Sequence, residues 1–142
     1  MTVQEALARN IKAGRGLRSM KQSDLALAMV RLGHDWTDVT VSQVERSKRK
    51  VSVDELFSLA LALGYVVPDL LVPPETERLD FGVGVGFMRP GFVQRLMRGD
   101  IVMLQEWDEE GNPTEPRIQA KVGVQMDFDA LRSAIELRAR HR

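Results

Sequence analysis

In the first half of the chain, apolar residues recur at three- and four-residue spacing, and polar caps or glycines interrupt the pattern where helices would stop. Leu7, Ile11 and Gly14 mark one face of a helix predicted from Val3 to about Leu17, with Lys12 and Arg15 on other faces. Gly14 and Gly16 each weaken that helix by roughly 1 kcal/mol relative to alanine. Glycines so placed usually admit the close approach of another backbone. A second helix is predicted from Gln22 to about Leu32, with Leu25, Ala26, Met29 and Leu32 inward and Gly33 as its left-handed stop. After the connector Gly33-His34-Asp35-Trp36, Thr37 is a good N-cap for a third helix, about Asp38 to Arg46. Only Val41 and Val44 anchor it, so its polar face is left for something to dock on. Ser52 and Glu55 form a capping box that opens a fourth helix, with Leu56, Leu59, Ala60 and Leu63 inward and Gly64 at its end. Pro68 suits the first turn of a short fifth helix through Leu71.

Beyond Leu71 the pattern changes. Pro73-Pro74-Glu75-Thr76-Glu77-Arg78 reads as an extended, charged linker. Gly82, Gly84 and Gly86 alternate with apolar residues, and Gly91 to Arg98 is predicted as a helix burying Phe92, Val93, Leu96 and Met97. Ile101 to Trp107 and Arg117 to Met126 read as two strands joined by the turn Asp108-Glu109-Glu110-Gly111-Asn112-Pro113. Asp127 would cap a final helix carrying Phe128, Leu131, Ala134, Ile135 and Arg138 along one side. The expected organisation is an all-α five-helix domain over 1–72, a linker over 73–79 and a small α+β domain over 80–142, with a β-hairpin and a terminal helix.

Composition narrows the class. With 142 residues, 44% hydrophobic and 28% charged, the chain matches folded globular proteins. No apolar run approaches the ~20 residues of a membrane helix, and no signal peptide opens the sequence, so a cytoplasmic location is expected. The absence of cysteine rules out disulfides and thiolate metal sites. His34 and His141 are the only histidines, and neither a metal nor a cofactor is expected. Asp108, Glu109 and Glu110 fall in a predicted turn, where carboxylates are solvated far more often than catalytic, and no enzymatic activity is expected. The net charge is zero, which by itself argues mildly against a nucleic-acid binder. The local run Arg46, Lys48, Arg49, Lys50 changes that picture, because it directly follows the polar third helix.

Taken in order, Ile11…Arg15, Gln22-x-x-Leu25-Ala26, Val41-x-x-Val44-Glu45, Asp54-Glu55-Leu56…Leu59-Ala60 and Leu63-Gly64…Leu70-Leu71 resemble the xenobiotic-response-element family of helix-turn-helix regulators. That group contains the lambdoid phage repressors, and the resemblance covers Met1 to Leu71. It implies that the third helix lies in the DNA major groove, with Asp38, Val39, Ser42 and Gln43 at base-reading positions. Gln43 would bond adenine through its amide and Val39 would pack on a thymine methyl, whereas Asp38 suits the helix N-terminus better than a DNA contact. Gln22 matches a phosphate-binding position at the start of helix two, and Thr37 is counted with it. Arg46, Lys48, Arg49 and Lys50 become phosphate contacts as well. Arg15 and Glu45 match a pair that ties helix one to helix three. Two departures stand out: Ser47 replaces the usual glycine at a left-handed position, and the connector around Arg31 to Trp36 is about five residues longer than the family's turn. Trp36 is expected as a lid over Val41.

The second half faintly resembles the self-cleaving domain of LexA-type repressors through Phe87-Met88-Arg89-Pro90 and Arg98-Gly99-Asp100-Ile101-Val102. Phe87 stands where that pattern has its nucleophilic serine, so autoproteolysis is not expected. Three functions remain: a transcriptional repressor bound to a double-stranded operator, of which a repressor maintaining phage lysogeny is one form; an antitoxin whose second half holds a protein partner; and a ligand-sensing regulator. The repressor leads. A homodimer through the C-terminal half is expected, offered by the Phe92/Val93/Leu96/Met97 and Phe128/Leu131/Ile135 stripes, although each stripe taken singly fits an inert core better; the small size of the unit favours assembly.

Overall fold

The computed structural model describes residues 1–80, 86–120 and 135–136. Two compact units emerge, one of Gln4–Leu71 and one of Met1–Val3 with Val72–Arg142. Six helices and two small antiparallel sheets are present among the described residues.

The first unit contains α1 (Val3–Leu17), α2 (Gln22–Arg31), α3 (Asp38–Glu45), α4 (Val53–Leu63) and α5 (Val67–Leu71). Ile11, Leu25, Met29, Val41, Val44, Leu59 and Leu70 are fully buried in one cluster, with Trp36 at 3% exposure among them. Local chemistry sets the helix ends. Thr37 Oγ1 accepts from Thr40 N–H at 3.3 Å to open α3. Ser52 Oγ accepts from Glu55 N–H at 3.2 Å, while Glu55 Oε2 accepts from Ser52 N–H at 2.9 Å to open α4. Gly33 (φ 92°) and Gly64 (φ 70°) supply the left-handed residues that close α2 and α4. At the end of α5, Asn10 Nδ2 donates to Leu70 O at 3.0 Å, serving a carbonyl that has no partner within the helix.

Two expectations about this unit need correction. Leu32 is not on the buried stripe of α2: the helix ends at Arg31, Leu32 leaves helical geometry as its C-cap, and the side chain is 41% exposed. The glycines of α1 also differ from each other. A Cβ on Gly14 would lie 2.7 Å from Tyr65 Cε2, so its close neighbour is an aromatic ring rather than a backbone. Gly16 has nothing within 4 Å.

In the second unit, β1 (Leu79–Asp80) pairs antiparallel with β2 (Phe87–Met88), and β2 pairs with β5 (Ile135–Glu136) in the register Phe87↔Glu136 and Met88↔Ile135. α6 (Pro90–Arg98) starts on proline and ends on Gly99 at φ 76°. β3 (Ile101–Leu104) pairs with β4 (Arg117–Ala120), from Ile101↔Ala120 to Leu104↔Arg117. Among the described residues of this unit, Leu79, Met88, Phe92, Val93 and Ile101 are buried.

The expected terminal helix is not formed at Ile135–Glu136, which make a strand instead. Helical spacing of apolar residues is a local signal, and here a distant backbone edge, that of Phe87–Met88, takes up the hydrogen bonds of these residues. Phe128, Leu131, Ala134 and Arg138 of that predicted helix lie outside the described residues, as do Gly82, Gly84, His141 and the predicted strand beyond Ala120. β3 also stops at Leu104 rather than Trp107, which makes only an isolated bridge to Pro113. Pro113 and Pro116 have no N–H to extend the ladder. The Phe92/Val93 stripe, expected as an assembly surface, turns inward: both residues are buried, and Leu96 and Met97 are half-buried.

The first residues of the chain belong to this second unit. Thr2 forms a parallel bridge with Asp80, and Asp80 N–H donates to Met1 O at 2.7 Å. Lying ahead of the body of α1, they are free to run along a strand edge. Leu79, placed in the linker by its sequence context, is fully buried in β1.

Candidate nucleic-acid interface

α3 leaves most of its surface outside the core. Val41 and Val44 face the core at 0% exposure, and no other residue of the helix is buried. Asp38, Val39 and Gln43 are exposed and Ser42 is half-buried. Their spacing puts 38 with 42 and 39 with 43 on the face away from the valines. This face offers an amide, a hydroxyl, a carboxylate and an apolar methyl group (Val39 is 58% exposed), a mixture suited to reading base edges and unsuited to a protein core. Asp38 Oδ1 accepts from Val39 N–H at 2.9 Å, which engages the carboxylate with the free amides of its own helix start.

The C-terminal end of α3 is fixed by a charged network. Glu45, the last residue of the helix, receives Arg15 Nε at 2.6 Å, Arg15 Nη2 at 3.0 Å and Gln22 Nε2 at 2.9 Å. Arg15 Nη1 donates onward to Met20 O at 2.7 Å. The side chains are 16% and 3% exposed, so this is a largely desolvated bidentate pair. Burial by itself pushes the Glu45 carboxyl up, but hydrogen bonds from Arg15 and Gln22 outweigh it and hold the group below its ordinary value. The same bond to Glu45 raises the Arg15 pKa against the effect of burial. Gln22, a residue expected on phosphate, thus has one side-chain N–H on Glu45, and the backbone N–H groups at the start of α2 are also suited to an anion.

The basic loop after α3 alternates. Arg46, Lys48 and Lys50 are exposed, while Ser47, Arg49 and Val51 are half-buried and Val51 packs against the core. Arg46 Nε rests on Ser42 O at 3.2 Å. Ser47 has φ of 57°, a left-handed serine where glycine is usual. Ser19, which nothing in the sequence singled out, has φ of 54°. Arg49 departs most from expectation. It reaches Glu55 Oε1 through Nη2 at 2.7 Å and Glu55 Oε2 through Nη1 at 3.2 Å, and its guanidinium lies 5.3 Å from the centre of the Trp36 ring. Trp36 Nε1 donates to Glu55 Oε1 at 2.8 Å. The Arg49 hydrogen bonds lead in holding the Glu55 carboxyl down at about 2; burial opposes them, and the Ser52 amide and Trp36 indole add to them.

Sequence reading missed this second network and its neighbours. His34 Nε2 lies 2.6 Å from Ser58 Oγ, so the long connector is fastened to α4 at both His34 and Trp36. Gln4 Nε2 donates to Arg49 O at 3.0 Å. The only local signal was the capping box itself, because a buried glutamate at its third helical position calls for a cation nearby. Thr37, expected on phosphate, caps α3 with its hydroxyl oxygen as acceptor and stays exposed there.

Elsewhere, an open cleft of about 480 Å³ in the second unit is lined by Glu75, Thr76, Glu77, Arg78, Arg89, Pro90 and Gly91, which include no thiol, histidine or serine. Among the described residues no cluster of His, Asp and Glu is placed to hold a metal ion. No helix among them is long and apolar enough to cross a membrane.

Comparison with known proteins adds one likeness. No protein-family model matches the sequence, and no curated protein matches it. Among solved structures the chain is similar to the crystal structure of NHTF, a hypothetical transcription factor from Neisseria, with 30% identity, 52% of this chain and 79% of that chain covered, and a TM-score of 0.45.

Proposed function

We propose that this chain is a sequence-specific, double-stranded DNA-binding regulator of the helix-turn-helix type, acting as a transcriptional repressor with α3 in the major groove. The observation that carries the reading is the face of α3. Asp38, Val39, Ser42 and Gln43 stand outward on a helix anchored by only two valines and clamped at its end by Arg15 and Gln22. Arg46, Lys48 and Lys50 follow it outward, in the right place to neutralise phosphates beside a base-reading helix. In this reading Gln43 and Val39 discriminate bases, the loop cations give sequence-independent affinity, and the C-terminal unit arranges two copies on half-sites about 34 Å apart. The protein would then reside with the nucleoid in the cytoplasm.

The test is selection of binding sites from a random duplex library with the full chain, followed by titration of Gln43→Ala. The variant should lose about 1–3 kcal/mol on the selected site and relax the preference at one base pair. Equal loss on selected and mixed DNA would remove Gln43 from the base-reading set. Failure to enrich any site would defeat sequence-specific binding altogether.

A further inference from the structure

We infer that Arg49 is a positioning residue rather than a DNA contact: it holds the loop between α3 and α4 in the register that turns Arg46, Lys48 and Lys50 outward together. The inference rests on the DNA-binding reading of that face. Three observations carry it. The first is the alternation of exposure from 46 to 51: the loop, a turn with Ser47 left-handed at φ 57° followed by a bend, leaves Arg46, Lys48 and Lys50 exposed and Ser47, Arg49 and Val51 half-buried, which gives it one wet and one dry edge. The second is what the dry edge grips. Arg49 is pinned through its carbonyl by Gln4 at 3.0 Å and through its guanidinium by both oxygens of Glu55, and Val51 packs on the core. Glu55 in turn receives Trp36 Nε1 and Ser52 N–H, so a residue only 8% exposed accepts four hydrogen bonds from three residues. The third is the energetic asymmetry. Moving Arg49, whose side chain is 35% exposed, to a phosphate gives up a bidentate bond to the mostly buried Glu55 and a cation–π contact with Trp36 for a solvent-screened partner, and leaves Glu55 without its counter-charge. Among the described residues Lys48 and Lys50 have no carboxylate partner of this kind, and Lys48 N–H ties the loop to α3 through Gln43 O at 2.8 Å.

The two roles for Arg49 predict opposite signs for one substitution. Glu55→Gln removes an anion from beside the DNA face while leaving the charge of Arg49 in place. If Arg49 meets phosphate directly, this variant binds mixed-sequence duplex DNA more tightly, with a steeper salt dependence. If Arg49 positions the loop, it binds about tenfold more weakly and its salt slope becomes shallower, because Lys48 and Lys50 lose their placement. The measurement is the salt dependence of binding by the full chain, with folding at the assay temperature followed by circular dichroism. Arg49→Gln should match Glu55→Gln, and the double variant should be no worse than either alone. Arg49→Lys should fail to restore the slope, since an ammonium lacks the planar fork that grips both oxygens. Tighter binding by Glu55→Gln overturns the inference, as does a wild-type slope in Arg49→Lys, which decides the matter by itself should Glu55→Gln not fold. A lowered melting temperature with an unchanged slope overturns it too, by showing a purely structural role. Wild-type protein that binds no duplex DNA defeats the DNA-binding reading itself, before any variant is compared.

Discussion

Ser47 leaves α3 at φ 57°, and Gly16 sits in the last turn of α1 with nothing within 4 Å of where its Cβ would stand. The two positions call for the same pair of residue types in opposite senses. A left-handed backbone costs a non-glycine residue roughly 1–2 kcal/mol, so Ser47→Gly should raise stability by up to about 1 kcal/mol once the extra chain entropy of glycine is counted. Gly16→Ala should also stabilise, by about 0.5–1 kcal/mol, because it fills open space in a helix. Gly14→Ala should not share that gain, since its new methyl meets the Tyr65 ring at 2.7 Å. Denaturant unfolding of the three variants checks the set, and a loss in Ser47→Gly would show that the serine side chain has a role of its own. The strain at Ser47 was legible because the position after a helix so often needs φ > 0. The different company of the two glycines was not, because Tyr65 reaches Gly14 only through the packing of distant segments.

Helix ends in this chain are held by groups that the pH titrates. Glu55 caps α4 and Glu45 closes α3, and both carboxyls lie below their ordinary value, Glu55 at about 2. A depressed folded-state pKa means that the ionised group stabilises the fold in full above its unfolded value of about 4.3, and that this contribution is lost as pH falls through the folded value. For Glu55 the window runs from about pH 4.3 down to about 2, and the amount at stake is at most about 3 kcal/mol. Unfolding midpoints should therefore fall across that window, and Glu55→Gln should start lower at neutral pH and show a flatter acid limb. An acid limb identical to wild type would assign the lability to other groups. At this scale much was legible: Thr37, Ser52, Gly33 and Gly64 mark helix boundaries because capping acts within a few residues. The strand at Ile135–Glu136 was not, since its partner, Phe87–Met88, lies far earlier in the chain and an apolar run of that length fits helix and strand alike. The same limit hid the Arg49–Glu55–Trp36 contact. The run of cations was visible, but the fold alone says which of them turns inward.

A single module of this size reads few base pairs, so the proposed function needs two copies of the whole molecule on one site. Full-length protein should scatter light as a dimer and bind a selected duplex more tightly than a chain shortened to end at Val72. Equal mass and equal affinity for the two would pass the assembly role to another partner. The shortened chain also loses Asp80, and with it the backbone edge that Thr2 lies along. That pairing bears on how such a protein can be recombined. One crossover near Val72, joining this helical unit to a foreign second half, would carry Met1–Val3 away from the strand they complete. Two crossovers, one after Val3 and one after Leu71, lift the helical unit out whole. In genetic terms the five-helix unit is an insert within its host, and an exchange of that unit between chains has to graft at both ends.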